Sequence, residues 1–138
     1  MISRRRLPLL GAAGLAALTL TGCTIAQDVL QVGQREFTYE TAADADASRE
    51  SFRFQGFLPE DATDVRLLAQ LDGHAAVMRW TSPTSFTSAH CVEEPVTSEP
   101  DLDADWSLDA LPSEGLVCGS WTVVQSGDVH LAWRAEQE

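Results

Sequence analysis

Apolar and polar positions alternate in two stretches of the chain, and each stretch predicts a β-hairpin. Residues 63–70 form one strand, Asp72-Gly73 supplies a two-residue turn, and residues 75–80 return as the partner strand. Residues 116–125 and 129–135 form a second strand pair around a glycine-containing turn. The pattern therefore predicts four strands in two hairpins.

The segment between the two hairpins begins with a helix-start signal. Ser82 is a favourable N-cap, and Pro83 suits the first helical position, where its missing N–H is not needed. A helix from Pro83 to about Val92 would place Phe86 and Ala89 against the sheet, and it could place His90 there too. We therefore expect an α+β domain, with a small antiparallel sheet of about four strands and one helix packed on one face.

The N-terminal pattern is different, because basic residues precede a mostly apolar run. Arg4-Arg5-Arg6 are followed by residues 7–20, a run too short to span a bilayer as a helix. The run ends in Leu20-Thr21-Gly22-Cys23, which resembles the lipobox of bacterial lipoproteins, in which the cysteine thiol is diacylglycerylated. Residues 3–7 also resemble a twin-arginine export signal, so the general secretory and twin-arginine routes both stay open.

The lipobox resemblance implies where the protein lies and how the chain is organised. Residues 1–22 would be removed as a signal peptide, and Cys23 would carry the two or more acyl chains that stable anchoring needs. The protein would then lie on the extracytoplasmic face of the cell membrane. Residues 23–50 are expected to be a flexible tether, in which residues 29–39 could form a short strand. Residues 51–138 would form the globular domain.

Composition narrows the partners of this domain. The chain has 21 acidic residues, nine arginines and no lysine, and its formal net charge is −12. Three of the arginines and none of the acids lie in residues 1–22, so the remainder carries a net charge of −15. Such a surface repels phosphate backbones, so we expect no nucleic-acid partner. Arginine-only basicity with abundant Ala, Asp and Thr is typical of a GC-rich genome, and with the lipobox it resembles small actinobacterial lipoproteins.

Two cysteines remain after Cys23 is assigned to lipid. Cys91 and Cys118 are expected to form one structural disulfide in an oxidising compartment. Closing that loop would stabilise the fold by about 3.5 kcal/mol in the chain-entropy model. A metal-binding pair or a reactive thiol is the alternative.

One short block suggests catalysis. Thr87-Ser88-Ala89-His90-Cys91 resembles the block around the general-base histidine of the chymotrypsin family. No Gly-Asp-Ser-Gly-Gly nucleophile block follows, and the domain is too small to build the two barrels of that family. We therefore expect no serine-protease triad.

Two further patterns suggest metal binding. Asp101-Leu102-Asp103-Ala104-Asp105 has the opening spacing of an EF-hand loop, but Trp106 replaces the required glycine and Pro112 the required glutamate. We expect a solvated acidic loop over residues 93–114. The spacing of the three histidines does not support a metal site either, so no metal or cofactor is predicted.

The tryptophans offer a candidate ligand surface. Strand tryptophans are mostly core residues. If one sheet face stays uncovered, however, aromatic and basic side chains could line a groove for an apolar ligand, a sugar or a peptide. The candidate residues are Trp80, Trp121, Trp133, Arg79, Arg134 and His130.

These observations favour a non-enzymatic binding or interaction domain of the cell envelope. Its partners would be the membrane, through lipid on Cys23, and an envelope protein or a small apolar ligand. The alternative is a small extracytoplasmic hydrolase or metal-dependent enzyme using His90 or the acidic loop. A third possibility is an accessory subunit of a larger assembly.

Overall fold

A single antiparallel sheet of seven strands organises residues 33–136, the part of the chain that the computed structural model describes. The strands are β1 (Gln34–Thr41), β2 (Thr63–Gln70), β3 (Ala76–Thr81), β4 (Val92–Pro95), β5 (Glu114–Cys118), β6 (Trp121–Ser126) and β7 (Val129–Arg134). Their order across the sheet is β1-β2-β3-β7-β6-β5-β4. The helical elements are α1 (Ala42–Ala47) and one 3₁₀ turn (Ser51–Phe54).

The predicted four-strand α+β fold is therefore wrong, and the domain is β-rich. The first hairpin is confirmed, since β2 has the predicted bounds and β3 returns after the Asp-Gly turn. The predicted strand 116–125 is two strands instead, because Gly119 adopts a φ of 64° between β5 and β6. Left-handed backbone of this kind favours glycine and turns the chain.

The predicted helix over residues 83–92 is also wrong. Residues 82–91 form no helix, only a single turn at residues 88–91, and they cross one face of the sheet to reach β4. Because β7, β6 and β5 lie between β3 and β4, the chain must cover about 19 Å. A ten-residue helix is only about 15 Å long. Ten residues of extended backbone can span that width. The strand order therefore requires an extended segment here, despite the helix-start signal at Ser82-Pro83.

The sheet consists of two meanders that meet along one seam. β1-β2-β3 form the first meander and β4-β5-β6-β7 the second, each with neighbouring strands joined in sequence order. At the seam β3 pairs with β7, in a register that runs from Ala76 opposite Arg134 to Thr81 opposite Val129. The two hairpins recognised in the sequence therefore lie next to each other.

The sheet begins before residue 51, the predicted start of the globular domain, and β1 overlaps the short strand that residues 29–39 could form. β1 and α1 fall in residues 34–47, within the range 23–50 that was expected to be a tether. Thr41 caps α1, because its Oγ1 accepts a hydrogen bond from the Asp44 backbone N–H at 3.2 Å. The helix packs on the sheet through Ala42 and Ala45, which are both buried.

The N-terminal predictions concern a different part of the chain. The predicted signal peptide, the residues that resemble a lipobox, and Cys23 lie outside the described residues. In the range 33–136, no helix has the length and apolar character that crossing a bilayer requires.

Each face of the sheet carries its own hydrophobic core. One face, here termed the aromatic face, is covered by α1, the 3₁₀ turn and the crossing segment 82–91; its core includes Phe54, Leu67, Met78, Trp80 and Trp121. The other, termed the loop face, is covered by residues 96–113; its core includes Leu68, Val77, Trp106, Leu131 and Trp133. Successive residues of the central strands thus contribute to two different buried faces.

Candidate functional site

The structure divides the six candidate ligand-face residues between the two faces. On the aromatic face, Trp80 pairs directly with His130, and the Arg134 guanidinium lies 5.3 Å above the Trp121 ring. Arg79 and Trp133 belong to the loop face. Arg79 donates a hydrogen bond to the Trp106 carbonyl oxygen at 2.6 Å, and Trp133 is part of that core. The six residues therefore do not share one surface.

The three strand tryptophans are core residues rather than an exposed surface. Trp80, Trp121 and Trp133 are all buried. Trp121 meets Phe57 edge to face, with ring centroids 5.8 Å apart. Their large apolar areas therefore stabilise the two cores.

His130 is buried against Trp80. The two rings stack with centroids 5.1 Å apart and an interplanar angle of 1°. The ring Nε2 lies 3.2 Å from the Ser82 carbonyl oxygen. Since a carbonyl oxygen can only accept, Nε2 carries the proton and Nδ1 is unprotonated. Burial lowers the pKa of His130 below its ordinary value of 6.5, so the ring is neutral at pH 7.

A small polar network fixes the start of the crossing segment. The Ser82 and Thr84 hydroxyls each donate to the Asp61 carboxylate, at 2.5 and 2.6 Å. These hydrogen bonds lower the pKa of Asp61 below 3.8. The Ser82 hydroxyl is thus committed to Asp61, while His130 contacts the Ser82 backbone. Ser82, His130 and Asp61 do not form a nucleophile–base pair.

His90 and the acidic loop are separate features. His90 is exposed, and its backbone N–H donates to Ser88 Oγ at 3.4 Å. Within residues 33–136, no group of three or more His, Cys, Asp or Glu side chains is placed to hold a metal ion. The structure thus brings His90 and the loop carboxylates into no common site among the described residues.

The acidic loop has a packing role that its sequence indicates. Leu102, Ala104 and Trp106 are buried in the loop-face core, and the aspartates between them are exposed. This period-2 alternation is typical of an extended segment with one buried side. The prediction of a solvated acidic loop over residues 93–114 is therefore wrong for these three residues, and the two ends of that range belong to β4 and β5. The loop also surrounds two hollows of about 720 and 670 Å³, lined by its own residues and those adjoining β4 and β5.

A two-part groove lies on the aromatic face. Its inner part is a cavity of about 340 Å³ between residues 55–59 and 84–88, with Phe57, Trp80 and Phe86 in its lining. Its outer part is a cavity of about 370 Å³. The two parts adjoin, because Phe86 and Thr87 line both. The lining of the outer part also includes Glu93, Glu114, Leu116, Val123 and Gln125.

Phe86 is fixed between the two parts by aromatic contacts. Its ring meets Phe57 edge to face at 5.3 Å and Trp80 at 6.1 Å. The crossing segment that carries it is anchored at both ends, by the Ser82 network and by the Cys91–Cys118 disulfide. The predicted disulfide is thereby confirmed. The groove wall is pre-formed, which reduces the entropy lost when a ligand binds.

The outer part of the groove lies in a stretch of the chain whose charged residues are all acidic. No arginine or lysine occurs between Arg79 and Arg134, whereas nine acidic residues do. Two of them, Glu93 and Glu114, line the outer part of the groove and are exposed. The electrostatic potential there favours cationic groups.

Sequence reasoning missed most of this groove. Phe86 was expected to pack on the sheet, and it does so from an extended segment. Glu93 and Glu114 had no distinguishing signal, because the β4–β5 pairing brings them to one place. The strand β4 that carries Glu93 is exposed throughout, so its pattern did not reveal a strand.

No family model matches the chain, and comparison with curated proteins and with solved structures gave no match. The groove geometry and the N-terminal sequence therefore carry the functional argument.

Proposed function

We propose that this protein is an extracytoplasmic binding domain, held to the cell membrane by lipid on Cys23, whose ligand occupies the two-part groove of the aromatic face. The observation that carries this proposal is the groove itself. It combines aromatic and aliphatic side chains with serine and threonine hydroxyls, and its outer end has two carboxylates and an amide. Ligand sites typically have this composition, and their volumes are roughly 300–1,000 Å³.

The anchoring and the location rest on the sequence. The lipobox resemblance at residues 20–23 supports lipid attachment, and the acidic remainder of the chain supports a domain that stays off an anionic membrane surface. The Cys91–Cys118 disulfide is consistent with an oxidising compartment. An envelope protein or a small apolar molecule is the expected class of ligand.

A binding role fits the groove better than the enzymatic alternative does. The described lining offers aromatic, aliphatic, hydroxyl and carboxylate side chains, and Ser82 is engaged with Asp61 rather than with a base. His90 is exposed, and the loop aspartates lie apart from it. No specific observation therefore favours a hydrolase or a metal-dependent enzyme.

Native mass spectrometry on the protein extracted gently from its own membranes tests the proposal. We expect a mass that shows processing before Cys23 and at least two acyl chains on that residue. We also expect a reproducible additional mass from a groove ligand. The variant Cys23→Ala should be unprocessed or released into the medium, and tight membrane association of a processed form would contradict the anchoring.

The groove is tested in the same spectra by two phenylalanine variants. Phe86→Ala removes the shared wall and should abolish the additional mass. Phe52→Ala is the matched control, because Phe52 is 67% exposed and does not line the groove. Retention of the additional mass by both variants would place the ligand elsewhere, and its absence from the wild-type protein together with no crosslinked partner on intact cells would contradict a binding role.

A further inference from the structure

We infer that the outer part of the groove binds an arginine or lysine side chain from a peptide segment of a partner protein, and that the inner part holds the apolar residue beside it. This inference rests on the proposed function and names the chemistry of the ligand. The observation that supports it is the position of Glu93 and Glu114 beside apolar residues that line the same cavity.

The strand register places both carboxylates on the same face. Glu93 lies opposite Leu116, and Leu116 lies opposite Val123. Glu114 is two residues from Leu116 on β5, so its side chain points to the same side. Glu93 and Glu114 are diagonal neighbours, about 7–8 Å apart at the backbone. A single guanidinium between them can therefore reach both.

One row of cross-strand partners on the aromatic face ends at Glu93, and its residues become more exposed towards that end. It runs from Leu67 and Met78 at the centre of the sheet through Ala132 to Val123 and Leu116, and it ends at Glu93. Leu67, Met78, Ala132 and Val123 are buried, whereas Leu116 is only partly buried. The apolar floor thus continues outward from the core and ends beneath the carboxylates.

Neither carboxylate has a cationic partner in the described part of the chain. The ion pairs there are Arg53–Glu50 and Arg66–Asp64. The four other described arginines are in β1, in β3, in β7 and just after α1. The two glutamates repel each other across the groove, and a bound cation would remove that repulsion.

An arginine or lysine side chain matches this geometry along its whole length. Its methylene stem can lie on Leu116 and Val123 while the charged head lies between the carboxylates. Arginine can in addition donate several hydrogen bonds to carboxylate oxygens. A metal ion fits less well, because residues 33–136 hold no group of three candidate ligands.

The second cavity indicates a peptide rather than a lone amine. The inner part adjoins the outer part at Phe86, and its lining includes Phe57 and Trp80 besides the hydroxyl side chains of residues 84–88. A neighbouring aromatic or aliphatic side chain would pack there. Recognition is expected through side chains, because Pro95 on the edge strand β4 lacks the N–H that strand addition would use.

Nuclear magnetic resonance of the four tryptophan indoles provides the test. The full chain, labelled with ¹⁵N in its tryptophans and held in detergent micelles, is titrated with acetyl-Phe-Arg-amide. The matched probe is acetyl-Phe-citrulline-amide, which has nearly the same shape and no charge. We expect the Arg probe to shift the Trp80 and Trp121 signals and to leave those of Trp106 and Trp133 on the loop face unchanged. The citrulline probe should bind about tenfold more weakly.

Two double variants assign this preference to the groove. Glu93→Gln with Glu114→Gln should abolish the difference between the probes. Asp103→Asn with Asp105→Asn is the control, because it removes the same charge from exposed positions outside the groove lining, and it should preserve most of the difference. Equal loss in both double variants would show a general charge effect and overturn the inference.

The other outcomes separate this inference from the proposed function. Equal affinity of the two probes, with shifts of Trp80 and Trp121, would overturn the cationic preference and retain the groove as a binding site. Binding of ethylguanidinium alone as tightly as the Arg probe would identify a small amine instead of a peptide. No shift with any probe would overturn the inference. The proposed function would then be tested separately, by whether native spectra show the additional mass of a groove ligand.

Discussion

The two faces of the sheet are covered in different ways. The loop face is closed by one amphipathic segment, residues 96–113, whose apolar residues alternate with exposed acids. The aromatic face is covered by separate pieces, α1 with the 3₁₀ turn on one side and the crossing segment 82–91 on the other. A groove remains where these pieces leave the sheet uncovered. Both faces thus have hollows. Those of the loop face lie within one continuous cover, whereas the groove of the aromatic face lies between separate covers and has aromatic side chains in its lining.

The two covers are also held by different bonds. On the loop face, polar contacts fix the segment: Trp106 Nε1 donates to Glu36 at 3.0 Å, and Asp101 accepts from the Glu136 backbone N–H at 2.8 Å. The crossing segment on the aromatic face has hydrogen bonds of this kind only at its start, from Ser82 and Thr84 to Asp61, and is otherwise held by a disulfide and by edge-to-face aromatic contacts. The comparison predicts that the aromatic face is the less adaptable of the two.

The largest expected effect comes from removing one tryptophan on each face. Trp80→Ala should lower the free energy of unfolding by about 4 kcal/mol, because the packed stack with His130 cannot collapse into the cavity. Trp106→Ala should cost about 2 kcal/mol, since the loop can move inward. Urea unfolding followed by circular dichroism measures both. Equal losses would show that the two covers adapt equally.

The next effect concerns the covalent anchor of the crossing segment. Cys91→Ser and Cys118→Ser should each lower the free energy of unfolding by about 3.5 kcal/mol, because the bond closes a loop with a sequence separation of 27. The double variant should lose no more than either single variant. Unchanged unfolding midpoints in both single variants would mean that the cysteines are not bridged in the protein tested.

A smaller effect is expected where the loop-face cover leaves β4. A Cβ atom on Gly115 would lie 2.9 Å from the Val123 carbonyl oxygen and 3.1 Å from Val96. Gly115→Ala should therefore lower the free energy of unfolding by about 2 kcal/mol through overpacking. Thermal unfolding measures the loss. A stability equal to that of the wild type would show that β5 and β6 can separate without cost.

The smallest effect is a pH dependence specific to the aromatic face. Burial holds the pKa of His130 below 6.5, so the unfolded chain binds more protons than the folded chain as the pH falls. The stability contributed by the neutral ring is complete above about pH 6.5 and is lost as the pH falls through the lowered pKa. His130→Phe keeps a ring on Trp80 and should flatten this part of the profile.

The Asp61 carboxylate gives an internal comparison for that profile. Its pKa is lowered by hydrogen bonds from Ser82 and Thr84, so its contribution is present above about pH 3.8 and is lost only as the pH falls further. Asp61→Asn should change the lower part of the profile and leave the part governed by His130. A wild-type profile without a decline below pH 6.5 would contradict the burial of a neutral His130.

The elements that depend on a local sequence pattern could be predicted from the sequence. The hairpin of β2 and β3 follows from an Asp-Gly turn between alternating segments, and the strand bounds agree within one residue at either end. The sequence allowed a short strand over residues 29–39, and β1 lies partly within that range. The segment β4 had no such signal, because it is exposed throughout. Their membership depends on pairing partners distant in sequence, which periodicity cannot reveal.

The groove could be predicted even less well. The path of residues 82–91 depends on how many strands separate β3 from β4, and the sequence does not reveal that number. His130 was expected on an exposed or uncovered face. The crossing segment buries it by placing the Ser82 carbonyl oxygen on its ring. Glu93 and Glu114 become neighbours only through the β4–β5 register.

The seam between β3 and β7 has a consequence for how the chain reaches its native state. Every other strand pairing joins consecutive strands, whereas the seam joins residues as distant as Ala76 and Arg134. Closing so long a loop is entropically costly, so we expect each meander to form early and the two to dock last. Cys91 directly precedes β4 and Cys118 ends β5, so both cysteines belong to the second meander. The disulfide can therefore form before the two meanders dock. A chain cut within residues 83–90 should yield two fragments that reassemble along this single line of backbone hydrogen bonds.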